Sequence, residues 1–128
     1  RQDRDIVIGA SFILTPTEPE TIRNKMRDVA NLRSSNQPKG KSLGSVFKRY
    51  EDVSAGYYID KAGLKGCSVN GMEISSVHAN FIVNNGGSVY DYLYLVNLAK
   101  TKVFEQFGIK LEEEVRIIGQ SKCAENCT

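Results

Sequence analysis

A chain of 128 residues fits one domain and is long enough to bury a core. Its 41% hydrophobic and 25% charged residues are ordinary for a soluble globular protein, and a net charge of +2 does not by itself argue for nucleic acid or an anionic membrane. No apolar run is long enough to span a bilayer, and the charged start Arg1-Gln2-Asp3-Arg4-Asp5 leads into no signal-peptide core and cleavage site.

The first residue is Arg1 rather than Met, so the chain is expected to be cut from something longer. Residues 5–14 are rich in Ile, Val and Phe with no polar face and predict a buried strand. Thr15-Pro16-Thr17-Glu18-Pro19 breaks it. Thr15 or Thr17 is suited to cap a helix with Pro19 in its first turn, and Glu18 and Glu20 favour the positive end of the dipole. Ile22, Met26, Val29 and Ala30 recur at helical spacing and carry that helix to about Leu32. Arg23, Asn24, Lys25 and Arg27 form its solvated face.

Residues 31–44 hold Ser34, Ser35, Asn36, Pro38, Gly40 and Gly44 and predict a loop. From 33 to 49 the charged residues are Arg33, Lys39, Lys41, Lys48 and Arg49, with no acid among them. An exposed loop is the plain reading; a site for a diphosphate is the sharper one, since Lys and Arg are natural phosphate partners. In Gly44-Ser45-Val46-Phe47-Lys48 a hydroxyl sits where the backbone can bend, anchored by two apolar side chains. No Gly-x-Ser-x-Gly surrounds Ser45, and the single His is no obvious triad partner, so a hydrolase is disfavoured.

Residues 54–62 predict a short helix with Ala55, Tyr58, Ile59 and Ala62 on one side and Gly63 at its end. Lys65 then lies in a tight turn between glycines, followed by a short strand or loop to Gly71. His78, the only histidine, stands just ahead of a strand over residues 80–84, and Asn84-Asn85-Gly86-Gly87 breaks the chain again. Ser88 caps the longest helix, with Asp91 completing a capping box. Val89, Tyr92, Val96, Ala99, Val103 and Phe107 form its apolar stripe, and Gly108 ends it.

Glu112-Glu113-Glu114 precedes Val115-Arg116-Ile117-Ile118-Gly119, a further predicted strand. Glu114, which enters it, is expected to be partly buried and able to share a proton. Cys67, Cys123 and Cys127 are an odd number, which is no disulfide framework. Two thiols near the end without a further Cys or His make a poor zinc site, so free thiols in a cytoplasmic protein and no metal are expected. The order of elements predicts an α+β fold, a small sheet packed against helices with one long helix in the C-terminal half.

Four pieces, Gly44-Ser45-Val46-Phe47-Lys48, Ala62-Gly63-Leu64-Lys65-Gly66, His78-Ala79-Asn80-Phe81-Ile82-Val83-Asn84 and Leu111-Glu112-Glu113-Glu114-Val115-Arg116-Ile117-Ile118-Gly119, stand together in order and spacing. In that register the chain resembles the C-terminal part of the UDP-N-acetylenolpyruvoylglucosamine reductase family, flavoenzymes that make UDP-N-acetylmuramate in peptidoglycan synthesis for the bacterial cell wall. Residues 1–38 resemble the strand and helix that lead in from the family's FAD-binding domain, and 39–128 its substrate-binding domain.

The resemblance implies that in the full-length enzyme NADPH reduces FAD, which passes hydride to the enolpyruvyl double bond of UDP-N-acetylglucosamine enolpyruvate. Ser45 matches the family's proton donor, and Glu114 the glutamate that stabilises developing charge. Lys65 matches the lysine of the Leu-Lys-Gly turn, placed against the diphosphate. Lys48 and Arg49 fall in the same substrate-binding set. His78 either donates from a neutral imidazole to a phosphate or uridine oxygen or is a structural histidine bonding backbone.

Departures from the family pattern are Tyr50 after Arg49, where Pro is frequent, Tyr57 and Tyr58 for Lys and Leu, Asn70 in a Gly-Gly position, and Val77 for Lys. The family's FAD-binding portion, with a catalytic arginine, has no counterpart here, and no Gly-rich phosphate loop is evident. This chain alone is therefore expected to hold neither FAD nor NADPH and not to turn over. Residues 6–14 and 115–118, which would pack toward that portion, are expected to be sticky edges that favour self-association. A stand-alone nucleotide-sugar-binding or interaction module without redox chemistry is the alternative; retention of both Ser45 and Glu114 speaks against it. Nucleic-acid binding is disfavoured by the near-balanced charge and the lack of interleaved aromatics.

Overall fold

The computed structural model describes residues 6–118, so Cys123 and Cys127 lie outside the described part. The chain divides into two units, residues 1–32 and 33–128. In the first, residues 6–18 form neither helix nor strand, and α1 (Pro19–Asn36) begins at the proline. Proline suits this place because its fixed φ is helical and its missing N–H would have no partner there. Neither threonine caps the helix as expected: Thr17 Oγ1 donates to the Thr15 carbonyl at 3.3 Å.

The buried strand expected over residues 5–14 is not formed in the described part, where Ile6, Val7, Ile8, Phe12, Ile13 and Leu14 are all exposed. An apolar run has strand propensity, but a strand needs a neighbour for its backbone groups, and the run finds none here. The stripe Ile22, Met26, Val29 and Leu32 is likewise exposed, and α1 buries no residue.

The second unit is an antiparallel sheet with two further helices. Its strands are β1 (Lys41–Ser45), β2 (Ser68–Val69), β3 (Met72–Ile74) and β4 (Phe81–Asn84), in the order β1-β4-β3-β2. The helices are α2 (Ala55–Lys61) and α3 (Val89–Phe107). Ile59, Ile74, Ile82, Leu95, Val96 and Val103 meet in the core, joined by Val46, Phe47 and Leu111. The α+β class and the long helix in the C-terminal half are as expected.

Two local expectations fail. Residues 31–44 were expected to loop, yet α1 continues to Asn36 and β1 starts at Lys41. Residues 115–118 were expected to be a strand, yet they belong to none; Glu113 alone makes an isolated bridge, to Phe47. β1 is a polar, glycine-bearing edge strand that exists because β4 offers it a ladder, and 115–118 is an apolar run that lacks one.

α3 follows its sequence closely. Ser88 N–H donates to Asp91 Oδ2 at 2.8 Å, Asp91 N–H donates to Ser88 Oγ at 3.3 Å, and Gly108 ends the helix at φ 69°. Tyr92, Val96, Ala99 and Val103 are buried as the stripe predicts, with Leu95 added; Val89 and Phe107, at the two ends, are exposed.

Candidate active site

Ser45 is aimed by an irregularity in β1. Ser42 pairs with Val83 and Ser45 with Phe81, so Leu43 and Gly44 together oppose Ile82 alone. Such a bulge bends the strand, and Gly44 takes the left-handed φ of 82° that it needs. Past it, Val46 and Phe47 dive into the core at 1% and 2% exposure.

The C-terminal carboxylates run alongside. Lys48 N–H donates to the Glu112 carbonyl and Glu114 N–H to the Val46 carbonyl, each at 2.8 Å, on either side of the Phe47–Glu113 bridge. This antiparallel contact brings Ser45 and Glu114, 69 positions apart in sequence, onto one cavity of about 400 Å³ that Leu43 and Val115 complete. Glu114 is exposed rather than partly buried as expected; the half-buried carboxylate of the three is Glu113, paired with Lys100 Nζ at 3.1 Å.

Lys48 is paired with Glu112. The Arg49 guanidinium donates to the Asp52 carbonyl in a tight turn closed by hydrogen bonds between Tyr50 and Val53. Lys65 pairs with Asp60 at 2.9 Å. Its turn lies at the same end of the sheet as Ser45 but across it: Ser45 faces Phe81, whose carbonyl accepts Ser75 N–H, and Ile74 N–H donates to Cys67. Three strand spacings, about 14 Å, separate the two edges.

His78 is half-buried, with Nδ1 accepting Asn80 N–H at 3.2 Å and its ring 4.9 Å from that of Phe81. Accepting at Nδ1 places the neutral ring's proton on Nε2. A Cβ at Gly56 would come within 3.0 Å of the imidazole, so α2 is glycine where the ring rests on it. The backbone-bonding role thus occupies one ring nitrogen and leaves the other as a donor.

The residue that reading the sequence missed is Asn80. It is 5% exposed, its Oδ1 accepts Phe47 N–H at 3.0 Å and its Nδ2 donates to the Phe47 carbonyl at 2.9 Å. Its signal was available, a polar amide at the head of an apolar strand, but its partner 33 positions away was not. A second cavity of about 670 Å³, largely apolar, lies between Leu43, Met72, Ile82, Tyr92 and residues 115–118. The Tyr92 hydroxyl is buried without a hydrogen-bond partner, and burial with the Glu113 charge raises its pKa above the ordinary 10.0.

Two features limit what these residues can hold. Among the described residues no His, Cys, Asp and Glu cluster is suited to a metal, and no helix is long and apolar enough to cross a membrane. One glycine-bearing loop, Asn85-Gly86-Gly87, does lead from a strand, β4, into a helix, α3. It does not fit a dinucleotide pyrophosphate. The Asp91 carboxylate already occupies the helix N-terminus, and Gly87 is glycine because a Cβ would lie 2.6 Å from Met72. This loop does not build a FAD or NADPH cradle.

The family model of the UDP-N-acetylenolpyruvoylglucosamine reductase C-terminal domain matches residues 36–118. Curated reductases of that name are similar over most of the chain. The one from Rubrobacter xylanophilus is 41% identical over 116 residues, 90% of this chain and 39% of its own length. The one from Pediococcus pentosaceus is 42% identical over 121 residues, 93% of this chain and 40% of its own. The chain thus spans about two-fifths of the relatives it matches. The crystal structure of the Thermus caldophilus reductase superposes with a TM-score of 0.60 at 43% identity, covering 74% of this chain and 34% of that one. This chain belongs to the UDP-N-acetylenolpyruvoylglucosamine reductase family, matching its C-terminal domain.

Proposed function

We propose that this chain is the substrate-binding and proton-donating part of a reductase that converts UDP-N-acetylglucosamine enolpyruvate to UDP-N-acetylmuramate. FAD and NADPH act from the portion of the protein outside it, and the setting is the cytoplasm, in peptidoglycan synthesis. The observation that carries this is the convergence of Ser45 and Glu114 on one cavity through the pairing of residues 112–114 with 46–48.

Hydride to the enolpyruvyl carbon is what the reduced flavin supplies when bound. The neighbouring carbon then carries carbanion character, delocalised into the substrate carboxylate, and needs a proton. Ser45 Oγ gives it. A serine hydroxyl is a weak acid, but an enolate-like carbon within reach is basic enough to take its proton. Glu114, open to the cavity, stabilises the developing charge through a shared proton or a bound water.

Lys65 takes the diphosphate and Lys48 and Arg49 hold other parts of the substrate, with the His78 Nε2 proton available to a phosphate or uridine oxygen. Lys48 and Lys65 are held by exposed carboxylates, pairs worth about 0–1 kcal/mol that an anionic substrate can displace. The spread of cations from one sheet edge to the other suits a long nucleotide sugar better than a small acid.

Ser45→Ala in the flavin-bearing reductase that carries this segment is expected to lower kcat by about 100- to 10,000-fold while KM stays near its starting value. An unchanged kcat would remove Ser45 as the donor. Calorimetric titration of this chain with the enolpyruvate, with Lys65→Ala alongside, reads whether the lysine turn holds the diphosphate; equal affinities would remove it from the site.

A further inference from the structure

The geometry points to Asn80 as a positioning residue that sets where the Ser45 hydroxyl stands relative to Glu114, an inference that rests on the proton-donor role proposed for Ser45. The dipeptide Val46-Phe47 is buried and carries four backbone polar groups that need partners. Asn80 meets three of them. Its carbonyl accepts Val46 N–H at 2.9 Å, its Oδ1 accepts Phe47 N–H at 3.0 Å, and its Nδ2 donates to the Phe47 carbonyl at 2.9 Å. The fourth, the Val46 carbonyl, accepts Glu114 N–H at 2.8 Å. The residue ahead of the dipeptide is Ser45. Asn80 and Glu114 therefore grip the same two residues, and the serine is fixed by what they grip.

The end of regular pairing explains why a side chain is used. Regular pairing of β1 with β4 reaches Ser45 and Phe81 and stops. Beyond it the amide of Asn80 stands in for a strand backbone, presenting one acceptor and one donor at the spacing of a peptide group. Its orientation is forced, because Phe47 N–H requires the oxygen and the Phe47 carbonyl requires the NH₂. Asn80 is itself held, its N–H donating to His78 Nδ1 at 3.2 Å. Aspartate keeps the shape of asparagine but its carboxylate cannot donate to the Phe47 carbonyl. Serine is too short to reach both groups. Either substitution frees one side of the dipeptide and lets Ser45 drift, with no contact to substrate lost.

The test uses the flavin-bearing reductase that carries this segment, with Asn80→Asp, Asn80→Ser and Ser45→Ala measured together. Folded protein is followed by circular dichroism and thermal unfolding, and the Phe47 and Glu114 amides by hydrogen exchange. The expected result is a kcat lowered about 100-fold in both Asn80 variants, with KM within about threefold and faster exchange at Phe47 and Glu114. Loss of kcat in Ser45→Ala but full kcat in both Asn80 variants overturns the positioning role and spares the donor. Full kcat in Ser45→Ala overturns the donor and, with it, the inference. A kcat that falls only in proportion to folded protein marks Asn80 as merely structural and overturns the role as well.

Discussion

At the scale of single residues, glycines show how local space and chain conformation separate. Gly87 has no room: an added Cβ would lie 2.6 Å from Met72 Cγ and 2.9 Å from the Met72 backbone nitrogen. Gly44 has open space, and only its φ of 82° resists a side chain. Gly87→Ala is therefore expected to lower stability by about 1–3 kcal/mol through overpacking. Gly44→Ala is expected to cost about 1–2 kcal/mol through the left-handed backbone alone. Urea midpoints of the two variants check this, and equal stability of Gly87→Ala and the parent would show that the Met72 contact relaxes freely. Asn80 belongs to the same scale. One buried amide replaces a stretch of ladder, where a break in pairing would otherwise leave Phe47 with two unmet backbone groups.

At the scale of elements, α3 is the best-determined piece because each of its signals acts within a few residues. Its N-terminus carries a titrating group. Hydrogen bonds from the Ser88 hydroxyl and backbone hold the Asp91 carboxyl below its ordinary 3.8, with the Asn70 amide adding to them. A group depressed in the folded state contributes stability that is present above its unfolded pKa and is lost as pH falls through the folded one. The parent should thus lose more stability than Asp91→Asn as pH is lowered below 3.8. Parallel acid dependence of the two, followed by thermal unfolding across that range, would show that the cap carries no linkage. The sheet behaves differently: β2 and β3 have two and three residues, and each persists only through its neighbours.

At the scale of the whole molecule, each unit leaves apolar surface uncovered. In the first unit Ile6, Ile8, Phe12, Ile13 and Leu14 are exposed along one short run; in the second Ile118 is 95% exposed beside the larger cavity. Apolar runs without a partner promote association. This chain in isolation is expected to self-associate with rising concentration, and the double substitution Ile8→Lys, Ile13→Lys to reduce it. Sedimentation velocity over a concentration series decides; a monomer at every concentration, for the parent as for the variant, would mean that these runs do not drive assembly.

Whatever is settled over short separations can be read along the chain. α3 and its caps, α2 with Gly63 behind it, the strand after His78 and the α+β class follow from periodicity, capping chemistry and breakers acting along the chain. The family was legible too, because four short motifs in register are specific even when each is weak. Which segments became strands was decided by tertiary structure: the polar residues 41–45 gained a ladder from β4, while among the described residues the apolar 6–14 and 115–118 formed no strand. It also decided the candidate site. Ser45 and Glu114 reach one cavity because regular pairing of β1 with β4 ends at Ser45, and the Asn80 amide and a returning carboxylate segment then hold Val46 and Phe47. Hydrogen bonds between residues 33 or more positions apart leave no periodic trace in a sequence, and so the geometry that joins them had to be seen folded.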